Sequence, residues 1–100
     1  MTEPVRVVVV RQADPGKGGE QVAAFAEVAA LVRAEEGCLQ YDLHEVVNGP
    51  DRFVVVERWA SRAALDAHLA SAHMADYANR VEAFRQQPAE VYVIGDERIA

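Results

Sequence analysis

Hydrophobic positions along the chain fall into two rhythms, one of strands and one of helices. Val5 to Val10 is a run rich in β-branched side chains, cut off by the proline and glycines of "ADPGKGG", which end a strand and begin a turn. From Glu20 to Glu35 an alanine-rich stretch places Val22, Phe25, Ala26 and Ala29 at helical spacing, with Gly37 just beyond as a C-terminal stop. Gly37 to Trp59 returns to strand character on both sides of a turn. Ser61 stands as an N-cap before "RAALDAHLA", where Leu65, His68 and Leu69 share a side. "HMADYANRVEAF" extends or restarts that helix with Met74, Tyr77, Ala78, Val81 and Phe84 in register, Pro88 stops it, and "EVYVIG" supplies a last strand.

The order is βαββαβ. It predicts an α+β, ferredoxin-like domain over residues 1–100, an antiparallel sheet with both helices on one face. A sheet covered on one side should be polar on the other. Here Val5, Val7 and Val9 alternate with Arg6, Val8 and Val10, and Val54 and Val56 lie opposite Val55, so both faces read as apolar. That excess predicts a second copy packed face to face, a homodimer.

Composition narrows the possible partners. One hundred residues, 51% of them hydrophobic, suffice for one core. A net charge of −6, from 10 basic and 16 acidic residues without a basic stripe, argues against nucleic acid. No apolar run approaches a membrane span of roughly 18 to 20 residues. Cys38 has no intrachain partner and the start at Met1 does not read as a signal peptide, so the expected location is cytoplasmic.

The candidate chemistry begins with Glu57. Phe53, Val55, Glu57 and Trp59 alternate onto one strand face, and a carboxylate in an apolar row is costly unless something pairs with it. Its cross-strand neighbour depends on the parity of the hairpin loop. An even loop such as "NGPD" brings His44 to that face, and an odd one such as "GPD" brings Tyr41. The even loop is the favoured reading. His44 is then a base with Glu57 as its orienting carboxylate, and Trp59 is an aromatic wall with an indole N–H. His68 points inward from the second helix, and His73 and Tyr77, one turn apart, line a pocket mouth. His68 and His73 are five residues apart, not the i, i+4 spacing that converges on one ion, so no metal site is expected.

The stretch "EEGCLQYDLHEVVNGPDRFVVVERWASRAALDAHLASAHM" resembles the core of the antibiotic biosynthesis monooxygenase family, with its GC-x-x-Y-x-L-H strand, F-x-x-x-E-x-W strand and A-L-x-x-H-x-x-S-x-H helix. The resemblance implies a dimeric α+β barrel with a pocket between sheet and helices in each subunit. It also implies a cofactor-independent monooxygenase that uses O2 on a small quinol or polycyclic hydroxy-aromatic. In these terms His44, Glu57, Trp59 and His68 are the catalytic candidates, and Tyr41, Val55, His73 and Tyr77 the substrate-binding ones. The haem-degrading type looks to need an asparagine in the first strand, absent from "VRVVVVRQ", and the anthrone type looks to need one where Val55 stands. No glycine-rich dinucleotide fingerprint follows a strand, and no cofactor is expected. The alternatives are a cofactor-free isomerase-type enzyme on a small metabolite and a non-catalytic dimeric binding module.

Overall fold

A computed structural model describes residues 3–100. The elements are β1 (Val5–Gln12), α1 (Gly18–Arg33), β2 (Cys38–Glu45), β3 (Arg52–Trp59), α2 (Arg62–Leu69), α3 (Ala72–Val81) and β4 (Glu90–Gly95). The four strands form one antiparallel sheet in the order β2-β3-β1-β4, with the helices on one face. This is the predicted ferredoxin-like α+β arrangement, with the second helix split in two.

The split has a local cause. Ser61 caps α2 by accepting the Ala64 backbone N–H at 3.1 Å. At the other end α2 stops at Ala70, and Ser71, in extended conformation, starts α3 while its hydroxyl donates to the His68 carbonyl at 2.7 Å. The chain therefore turns between His68 and His73 rather than running on as one helix.

The start of α1 is capped from a distance. Asp51, in the β2–β3 hairpin, accepts the backbone N–H of Gly16 and of Gly18, both at 2.9 Å. Glycine is needed at position 18, because a Cβ there would lie 2.6 Å from the Asp51 carboxylate. Gly37 carries the chain out of α1 with φ +83°, and a Cβ on it would meet that of Ala64 at 2.6 Å.

Burial corrects the phase expected for α1. Gln21, Ala24, Phe25, Val28, Ala29 and Val32 face inward, while Val22 and Ala26 are exposed. In α2 the inward pair is Leu65 and His68, and Leu69 points out. These residues pack on Val7 and Val9 of β1, Tyr41 of β2 and Val55 and Trp59 of β3 to form the core.

The hairpin runs through Val47–Asp51, closed by the Val46 N–H donating to the Arg52 carbonyl at 2.9 Å. That is an odd loop, with Asn48 and Asp51 both at positive φ. Tyr41 therefore lies opposite Glu57, Leu43 opposite Val55, and His44 opposite Val54 on the other sheet face. The expectation that His44 shares a face with Glu57 is corrected: one residue of loop length reverses the assignment.

On the outer face Val8 and Val10 of β1 run beside Val54 and Val56 of β3 and Tyr92 and Ile94 around β4. Tyr92 and Ile94 are 52% and 45% exposed, and the four valines are half-buried. At one end Arg58 donates to both carboxylate oxygens of Asp96 at 2.8 and 3.0 Å, and Arg6 approaches it at 3.0 Å. The Arg58 hydrogen bonds, with Arg6 beside them, hold the Asp96 carboxyl below its usual range.

Candidate functional site

The polar group in the apolar row is satisfied from its own strand. Two residues apart on one face of β3, Glu57 and Trp59 stand close enough for the indole N–H to donate to Glu57 Oε1 at 2.9 Å. His68 enters from α2 above them. Its ring stacks on Trp59 at 4.5 Å between centroids, and its Nε2 lies 3.9 Å from Glu57 Oε1. Tyr41, opposite Glu57, meets His68 edge-on at 5.7 Å and stacks on Phe25 at 4.7 Å.

The second nitrogen of His68 reaches a residue that the sequence reading did not single out. Glu35, just past α1, places Oε2 2.8 Å from His68 Nδ1 and 3.2 Å from His73 Nε2. Trp59, Glu57, His68, Glu35 and His73 thus form one chain of polar contacts running from the sheet to the surface between α1 and α3. Exposure grades along it, from 0% at Trp59 and 1% at His68 to 26% for the His73 side chain.

Burial sets the electrostatics of the inner end. It pushes the Glu57 carboxyl above the usual carboxylate range, against the Trp59 hydrogen bond and the nearby His68 and Arg11, which favour the ionised form. Burial likewise raises the Tyr41 phenol, and the Glu57 charge adds to it. The Cys38 thiol is raised by burial first and then by Glu35 and Glu57. Arg11 lies above the Tyr77 ring, 5.2 Å from its centroid.

The space between β3 and α2 is closed. Trp59, Leu65 and His68 fill that volume, and Val55 is buried beneath them, so Trp59 and Val55 meet protein rather than a cavity. One groove, about 180 Å³, runs between α1 and α3, lined by Ala24, Glu27, Val28 and Leu31 of α1 and by His73, Asp76, Tyr77 and Arg80 of α3. Tyr77 is fixed there by the Gln21 side-chain amide, which donates to its hydroxyl at 2.7 Å. A wider groove, about 580 Å³, runs between α1 and β2, with Phe25, Ala29 and Leu43 inside and Arg33 and His44 at its rim.

The eight residues singled out in the sequence therefore divide. Tyr41, Glu57, Trp59 and His68 are packed together, Val55 is in the core beside them, and His73 and Tyr77 border the α1–α3 groove. His44 is exposed on the opposite sheet face. The spacing argument against a shared ligand for His68 and His73 is also corrected, because the break at Ala70 and Ser71 turns both rings onto Glu35. Their ligand atoms and the Glu35 carboxylate lie within 4.8 Å of one another. No local pattern in the sequence marks Glu35, whose partners lie 33 and 38 positions further along the chain.

Among the described residues no helix is long and apolar enough to cross a membrane. The chain is 35% identical to Putative monooxygenase Rv0793 of Mycobacterium tuberculosis, an alignment covering 94% of this chain and 92% of that one. It is 36% identical to Probable quinol monooxygenase YgiN of Escherichia coli, covering 68% of this chain and 75% of the relative. The solved structure of Rv0793 superposes with a TM-score of 0.87 at 33% identity, covering 97% of this chain and 98% of that one. These likenesses support a monooxygenase-type function. Residues 4–80 match the family described as Antibiotic biosynthesis monooxygenase, and the chain belongs to that family.

Proposed function

We propose that the protein is a cofactor-independent monooxygenase acting with O2 on a small, monocyclic hydroquinone-like aromatic in the α1–α3 groove. The observation that carries this reading is the Glu35–His73 pair at 3.2 Å, with His73 lining a groove to which Ala24, Val28 and Leu31 contribute apolar surface. With Nε2 turned to a carboxylate, the other ring nitrogen of His73 is left to accept a proton. Glu35 orients the ring and stabilises the imidazolium that forms. His68 holds Glu35 from behind at 2.8 Å, and the Tyr77 hydroxyl is a donor for the phenolate.

Dioxygen reacts slowly with closed-shell molecules, but a deprotonated hydroquinone can reduce it by one electron directly. Recombination places a peroxide on the ring. Loss of water then leaves one oxygen atom on the product, a hydroxyquinone, and the other in water. An enclosed cavity of about 150 Å³ holds one benzene ring, so a groove of about 180 Å³ has room for a monocyclic substrate. The name of the Escherichia coli relative points to quinols as well.

The test is oxygen uptake by metal-stripped protein with a panel of reduced monocyclic quinols, run against autoxidation and repeated under labelled dioxygen. Uptake above background, with one labelled atom per product, is the expected result. Ligand-dependent thermal stabilisation without uptake would favour a non-catalytic binding module instead.

We further propose that the outer sheet face binds a second copy of the chain. Val8, Val10, Val54, Val56, Tyr92 and Ile94 form a continuous apolar patch across three strands, and the helices cover only the opposite face. Wild-type protein is expected to sediment as a dimer at micromolar concentration and Val56→Asp as a monomer. A monomeric wild type would rule the interface out.

A further inference from the structure

We propose that Glu35, His68 and His73 form a binding site for one divalent first-row transition-metal ion. The donor atoms are Glu35 Oε2, His68 Nδ1 and His73 Nε2, all within 4.8 Å of one another. Two of their separations are already 2.8 and 3.2 Å, held by hydrogen bonds. Bonds of 2.0–2.1 Å in a tetrahedral site require roughly 3.3 Å between ligand atoms, so the two contacts to Glu35 open by about half an ångström at most while the two histidine nitrogens, within 4.8 Å of each other, draw together around the ion.

Three features distinguish this cluster from an accidental meeting of polar side chains. First, the break between α2 and α3, fixed by the Ser71 hydroxyl on the His68 carbonyl, turns two histidines five residues apart onto one carboxylate. Second, His68 has a carboxylate behind it at ion-pair rather than hydrogen-bond distance. Its other nitrogen faces Glu57 at 3.9 Å, Glu57 is held by the Trp59 N–H at 2.9 Å, and the Trp59 ring fixes the imidazole plane. Third, access is one-sided: the His68 side chain is 1% exposed, whereas those of Glu35 and His73 are 16% and 26% exposed. An ion held from within by three ligands keeps its remaining coordination positions toward the α1–α3 groove.

Two imidazoles and a carboxylate suit zinc, cobalt, nickel or ferrous iron, and not magnesium or calcium, which prefer oxygen donors throughout. The ion would occupy the nitrogen of His73 that otherwise faces Glu35, and the Glu35 oxygen that orients that ring. The metal-loaded form should therefore oxidise quinols more slowly than the metal-stripped form. This consequence rests on the proposed reaction, and the binding does not.

Binding is read directly, on full-length protein without an affinity tag. Metal-stripped wild type is titrated with Co²⁺ while its visible d–d bands are followed, and with Zn²⁺ in a calorimeter. We expect saturation at one ion per chain, with at least tenfold weaker binding in His73→Ala and in Glu35→Gln. Binding in Glu57→Gln should be weakened by a smaller factor than in His73→Ala, and that in His44→Ala should be unchanged. Thermal melts of the variants without metal confirm that each is folded. Absence of saturable binding in the wild type, or equal binding in wild type, His73→Ala and Glu35→Gln, would overturn the site. So would binding lost in His44→Ala and kept in His73→Ala.

Discussion

Replacing Trp59 with alanine should destabilise the protein by about 3–5 kcal/mol, the usual cost of removing a fully buried large aromatic side chain. Trp59 is 0% exposed, it supports the His68 ring at 4.5 Å, and its N–H satisfies a carboxylate that is itself 6% exposed. Cavity and orphaned acceptor add together in this variant. Trp59→Phe separates them, because the phenyl ring fills most of the space but offers no donor to Glu57. It should cost about 1–3 kcal/mol, the penalty for leaving a buried polar group without its partner. Urea denaturation of both variants reads the two contributions. A Trp59→Phe protein as stable as wild type would mean that the indole hydrogen bond contributes nothing net. A Trp59→Ala protein within about 0.5 kcal/mol of wild type would contradict the packing described.

His73→Ala should lower kcat/KM for quinol oxidation by about 10²- to 10⁴-fold, the range supplied by a positioned general base. Stability should change little, since the His73 side chain keeps 26% of its exposure. Glu35→Gln keeps an acceptor for the imidazole N–H but removes the charge that stabilises imidazolium, so it should fall in the same direction by a smaller factor. The two act as one unit, and the double variant should be scarcely slower than His73→Ala alone. Independent, multiplying effects would assign Glu35 a role apart from His73. Steady-state oxygen uptake measures all three.

The sequence made the fold legible because its signals agreed with one another. β-branched runs, the Ser61 cap, the glycine after the first helix and the closing strand all pointed to βαββαβ, and the outward positions of Val22, Ala26 and Leu69 changed only which residues of two helices face the core. The inner cluster was partly legible, since the alternation that exposed Glu57 as an anomaly also placed Trp59 beside it. His44 was misplaced because side-chain direction in a hairpin depends on loop parity. Where pairing stops, at Val46 and Arg52, is a backbone property that the letters only suggest, and it leaves five residues in the loop, with Asn48 and Asp51 at positive φ. Convergence of His68 and His73 was missed for a related reason: the i, i+4 rule assumes a continuous helix, and Ser71 interrupts this one. Glu35 went unnoticed because its partners lie 33 and 38 positions away and no local periodicity connects them.

The central claim is that deprotonation occurs on the helix side of the sheet, at His73 on Glu35, and not at His44 on the opposite face. Oxygen uptake by His73→Ala and His44→Ala, measured side by side with the best quinol substrate, tests it most directly. The account predicts that His73→Ala loses at least 100-fold in kcat/KM while His44→Ala stays within a factor of about two of wild type. The reverse pattern, activity lost in His44→Ala and kept in His73→Ala, would contradict it and move the reaction to the groove between α1 and β2.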